Sequence, residues 1–139
     1  MNTSSACRWL PVYQWLAGAC DTVTGLLLVV APVWTLKLMG VQQLPRPVGF
    51  AGFVGVFVLA VGLSYWYAAR LPQSAVTASR WQAVWWFTAL CRSLVAAFLS
   101  WQVAEGRMEK AWLNVAATDG VLAVFQWTGL WRGWLDFNR

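Results

Sequence analysis

The stretch LCRSLVAAF, residues 90–98, sets one arginine in the middle of an apolar run. From Gln82 to Gln102, Arg92 is the one charged residue. A run of this length crosses about 30 Å of hydrocarbon at about 1.5 Å per residue. Arg92 is therefore read as a charge held inside a membrane, and the rest of the chain is read outward from it.

Three further runs have the same character. The expected spans cover about residues 11–34, 47–67, 80–102 and 111–131. In lipid the backbone must satisfy its own hydrogen bonds, so these are helices. The connections are short, so sequence neighbours should pack antiparallel. The expected fold is all-α, an integral membrane four-helix antiparallel bundle forming a single transmembrane domain over residues 1–139.

Composition agrees with lipid as the solvent. Of the 139 residues, 60% are hydrophobic and only 11% charged, about half the charged share of soluble proteins. The net charge of +5 comes from scattered Lys and Arg with no basic run. Nucleic acid is excluded as an expected partner, and anionic lipid headgroups are favoured. The chain contains no histidine. That removes His-ligated haem, His-ligated chlorophyll, zinc-hydrolase chemistry and any imidazole base. Cys7, Cys20 and Cys91 have no metal-ligand spacing, and Cys20 and Cys91 read as small packing residues. No metal site, no catalytic residue and no intrinsic cofactor are expected. The N-terminus does not read as a cleaved signal, because the apolar stretch is too long and contains Asp21.

Local signals mark the helix ends. Pro11 suits a first helical turn. Pro32 should kink or end the first helix. LPRPVG, residues 44–49, is a turn and a new start. Ser79 and Gln82 fit a capping box that opens the third span, and Gly106 is a stop after it. Arg8, Arg70, Arg80, Arg132 and Arg139 fall on the side of the termini, with Lys37, Arg46, Arg107 and Lys110 on the other. This small excess places both termini in the cytoplasm, with a bacterial inner membrane as the expected location.

The twelve tryptophans lie near predicted helix ends. Trp9, Trp15, Trp66, Trp81, Trp85, Trp86, Trp127, Trp131 and Trp134 fall on the terminal side. Trp34, Trp101 and Trp112 fall on the other. An indole suits the headgroup boundary, with an apolar ring and a wet N–H. Two readings stay open. The rings form an interfacial belt, or Trp15, Trp66, Trp81, Trp85, Trp86, Trp127, Trp131 and Trp134 contact a partner subunit, lipid, pigment or quinone.

Two carboxylates also lie inside spans, Asp21 in GACDTVTG and Asp119 in AATDGVLAV. A charge near the midplane costs at least about 2.5–3.5 kcal/mol, so these groups should face inward and find one another. The faces fit. Gln14, Gly18, Asp21, Gly25 and Pro32 share a stripe, as do Ala116, Asp119, Ala123 and Gln126, and Ala89, Arg92, Ala96 and Ser100. Gly52, Gly55 and Gly62 mark a close-packing side of the second span. Arg92 is expected to bridge Asp21 and Asp119, its fork serving both carboxylates. Two acids and one base leave a formal −1, so the cluster is read either as an interhelical clamp or as a proton or cation site.

The D-x-x-x-G from Asp21 to Gly25, the following Pro32, the glycine-rich second span, the lone Arg92 and the Asp119–Gly120 pair resemble a pattern in small bacterial membrane proteins. They are similar to DoxX-like proteins, over nearly the whole chain. The resemblance implies a four-helix bundle. Some DoxX-like proteins are associated with quinone-linked sulfur oxidation, but no catalytic motif for it is matched here. No active-site residue is carried over.

Three functions follow as expectations. The first is a non-catalytic accessory subunit of a larger photosynthetic or respiratory membrane complex, packing through its tryptophan surface. The second is a small quinone-binding oxidoreductase, with Trp85, Trp86 and Trp127 flanking a ring and Arg92 or Gln126 donating to its carbonyl. The third is a proton-coupled transporter using the Asp21–Arg92–Asp119 triad.

Overall fold

The computed structural model describes the backbone of residues 3–136 and the side chains of residues 9–136. The side chains of Cys7 and Arg8, and Arg139 altogether, lie outside the described residues. The described residues form helices α1 (Thr3–Val30), α2 (Pro32–Leu38), α3 (Gly49–Ala69), α4 (Ala75–Ala104) and α5 (Trp112–Trp131). Three helical segments, Trp9–Val30, Gly49–Ala69 and Ala75–Ala104, are long and apolar enough to cross a membrane. The last helix, α5, has 20 residues but does not join that set, since it mixes Asn114, Asp119 and Gln126 into its apolar run.

Several boundaries differ from those read in the sequence. The helix α1 begins well before Pro11, which lies inside it. The preceding residues contain no breaker, so the helix extends upstream and tolerates the missing N–H. At its far end the chain breaks at Ala31, and Pro32 opens the separate helix α2, which carries Trp34. The start of α4 also lies upstream of the expected Ser79. Its cap is Ser74, whose backbone N–H donates to Thr77 Oγ1 at 3.3 Å, with the two hydroxyl oxygens 3.1 Å apart. A Ser/Thr pair at the same spacing further upstream captures the orphan donors first. The stop lies where Gly106 was expected to set it. Its φ of +68° lets Arg107 N–H reach Gln102 O at 2.9 Å and Gly106 N–H reach Val103 O at 3.0 Å, a Schellman turn.

The closest backbone approaches are α1 with α3 and α4 with α5, each pair antiparallel. Glycine makes the first approach possible. A Cβ on Gly62 would lie 2.5 Å from the backbone nitrogen of Thr22, and one on Gly55 would lie 2.7 Å from Leu28 Cβ. Small residues let helix backbones meet where lipid gives no hydrophobic drive for association. The α4–α5 pair joins the α1–α3 pair through large side chains instead.

At the terminal end Leu10, Ala68, Trp81, Trp85 and Leu135 form a buried cluster. Leu135 reaches it because a second Schellman turn at Gly133 (φ +65°) folds the chain back after α5. At the other end Leu28, Leu36, Val41 and Ala51 pack together. Glu109 ties the loops there, accepting from the backbone N–H of Gln42 at 3.0 Å and from that of Gln43.

Candidate functional site

The interior between these two clusters is polar. Arg92 is 5% exposed. Its Nη2 donates to Asp21 Oδ2 at 2.5 Å and its Nη1 donates to Asp119 Oδ1. The structure thus brings α1, α4 and α5 together at one guanidinium. A third partner comes from α3. Arg92 Nε donates to the hydroxyl of Tyr65 at 3.2 Å, and the guanidinium carbon stands 5.7 Å from that ring's centroid. Sequence reasoning missed Tyr65, which lies near the end of its helix in SYWY. Its position on the Gly55–Gly62 side was the available signal.

The stripes hold in their central members. Gln14, Gly18, Gly25, Ala116, Ala123, Gln126 and Ala89 are buried, whereas Pro32 and Ala96 are half-buried and Ser100 is exposed. Two turns from the charges, Trp85 Nε1 donates to Gln14 Oε1 at 3.0 Å, and Gln126 Nε2 donates to Thr88 Oγ1 at 2.7 Å. The α4 side chains Trp85, Thr88 and Arg92 thus address α1 and α5 at two levels, an amide rung and a carboxylate rung.

The tryptophans divide. Trp15, Trp86, Trp127 and Trp131 are exposed, and Trp66 and Trp134 are half-buried. Trp81 and Trp85 are enclosed, at 1% and 0% exposure, and do not reach a partner or lipid surface. The correction has a steric cause. Gly129 lacks the Cβ that would stand 2.6 Å from Trp85 Cζ3, so α5 leaves room for that indole. Trp66 similarly lies over Gly18. Trp127 Nε1 donates to Ser93 Oγ at 3.0 Å, and its ring meets Trp86 edge-on at 6.4 Å, giving an ordered aromatic flank on α4 and α5.

Cys20 and Cys91 are free thiols, and Cys20 is exposed rather than packed. Among the described residues no three Cys, Asp or Glu side chains converge as metal ligands. The donors suggested for a quinone carbonyl are already committed, Arg92 to three partners and Gln126 to Thr88. No protein-family model, no curated protein and no solved structure matches this chain.

Proposed function

We propose that the protein is a non-catalytic subunit of a larger bioenergetic membrane assembly, in which α5 crosses the bilayer as the fourth helix beside α1, α3 and α4. The observation that carries this reading is the engagement of Arg92. Each of its three nitrogens donates to a different helix, which is the geometry of a clamp. Large apolar side chains face outward. The outer face of α3 presents Phe50, Phe53, Val54, Phe57 and Leu63, and the indoles of Trp15, Trp86, Trp127 and Trp131 are exposed. Tryptophan is among the side chains enriched at the energetic centres of protein interfaces.

The test is gentle extraction of a tagged copy from its native membrane, followed by mass spectrometry and an absorption spectrum. Stoichiometric recovery with haem- or pigment-bearing subunits supports the reading. Recovery as a colourless, monodisperse single species overturns it.

A proton or cation site is the second reading, and one observation favours it. The side chains of Asp21 and Asp119 keep 14% and 17% of their accessibility, against 6% for Arg92. The formal −1 leaves one carboxylate beyond what the guanidinium neutralises, and that carboxylate is the group that would take a proton. Asp21→Asn and Asp119→Asn separate the two readings. A clamp tolerates them, and a proton site loses its activity. The DoxX-like quinone reading draws less support, because Arg92 and Gln126 already donate to protein partners.

A further inference from the structure

The amide rung is half used. Gln14 and Gln126 are both fully buried. Gln14 accepts from Trp85 through Oε1, and an indole N–H can only donate, so the amide's orientation is determined. Its Nε2 is left buried with no protein partner. Gln126 donates through Nε2 to Thr88 Oγ1, whose own hydrogen is committed to the Val84 carbonyl at 2.8 Å. Its Oε1 is likewise buried without a partner. The rung therefore leaves one donor on α1 and one acceptor on α5, both held against adjacent turns of α4.

Tyr13 packs beside the rung. Its hydroxyl is buried and turned toward that of Tyr65. Its ring packs 5.2 Å from Trp85 and 4.9 Å from Phe125, the neighbour of Gln126, and stands edge-on to Tyr65 at 6.1 Å. A buried polar group without a partner costs about 1–3 kcal/mol, and native interiors rarely leave one so. Water offers a donor and an acceptor at the smallest size, and buried waters typically make about three hydrogen bonds. Leu10, Trp81 and Leu135 pack with Trp85 at the terminal end.

We propose that Gln14 and Gln126 form an internal hydration site between α1, α4 and α5. The water accepts from Gln14 Nε2–H and donates to Gln126 Oε1. Tyr13 stands between this rung and Tyr65, which accepts from Arg92, so the aromatic rings separate the hydrated amides from the charge cluster. This goes beyond the assembly reading and does not depend on it.

The test is a structure of the full chain in lipid nanodiscs, at a resolution that shows ordered water, with Gln14→Leu, Gln126→Leu and the double variant in parallel. The expected result is one water density in contact with both amides. The double variant should lose less melting temperature than the two single losses added together, because neither amide then strands a bridge. A direct Gln14–Gln126 hydrogen bond with no density between them overturns the proposal. Additive losses with an empty space do the same. If no variant folds, the density in the unaltered protein decides alone.

Discussion

Arg92 donates its Nε–H to the Tyr65 hydroxyl at 3.2 Å, which turns the third face of the guanidinium toward α3. All four long helices thereby meet at one side chain. Tyr65→Phe removes the acceptor and keeps the ring and both carboxylates. The expected loss is about 1.5–3 kcal/mol, the range for a hydrogen bond to a charged group. Reversible unfolding in mixed micelles would measure it. No change would mean that Arg92 does not depend on α3.

Arg92→Ala should be more severe, at about 3–5 kcal/mol, because it leaves two carboxylates in the interior without their counter-charge. Arg92→Lys should recover only part of this. An ammonium is a point charge and does not reproduce the planar fork that reaches Asp21 and Asp119 together. Melting temperatures ordered wild type, Lys, Ala are the expected outcome, and Lys equal to wild type would show that charge alone suffices.

The α1–α3 seam gives a matched pair of tests. A Cβ on Gly62 would fall 2.5 Å from both the nitrogen and the hydroxyl of Thr22, and 2.9 Å from its Cα. Gly62→Ala should force the backbones apart and cost about 1–3 kcal/mol. A Cβ on Gly52 meets nothing closer than Leu28 O at 3.7 Å, so Gly52→Ala should be near neutral. Equal effects at the two positions in a thermal melt would contradict the packing.

Glu109 joins two loops that are far apart in sequence. Glu109→Ala should release the Gln42 and Gln43 amides and speed their hydrogen exchange, at a cost of about 1–3 kcal/mol. Glu109→Gln keeps one acceptor and should fall between. Unchanged exchange at both amides would show that the loop is held by its own turn.

How much of this was legible beforehand differs by residue. The Gln14–Asp21 and Asp119–Gln126 stripes could be read directly, because the 3.6-residue period places such residues on one face whatever lies opposite. That Arg92 should meet both aspartates followed from the cost of a lone charge in hydrocarbon. The start of α4 was misread because two Ser/Thr-led signals compete within a few residues, and local pattern does not rank them.

The sequence by itself determined the helical class, the membrane length of three helices and which polar residues had to turn inward. These depend only on spacing and on the price of charge in lipid. Tertiary structure alone decided that Trp81 and Trp85 are enclosed while Trp86 and Trp127 are exposed. It also decided that Tyr65 completes the guanidinium's partners and that Leu135 folds back into the core. Each depends on a gap or a donor supplied by a distant segment. Gly129 makes room for the Trp85 indole, and Gly133 reverses the chain after α5. Which segment stands opposite is set by packing the helices together, and no local stretch of the chain carries that information.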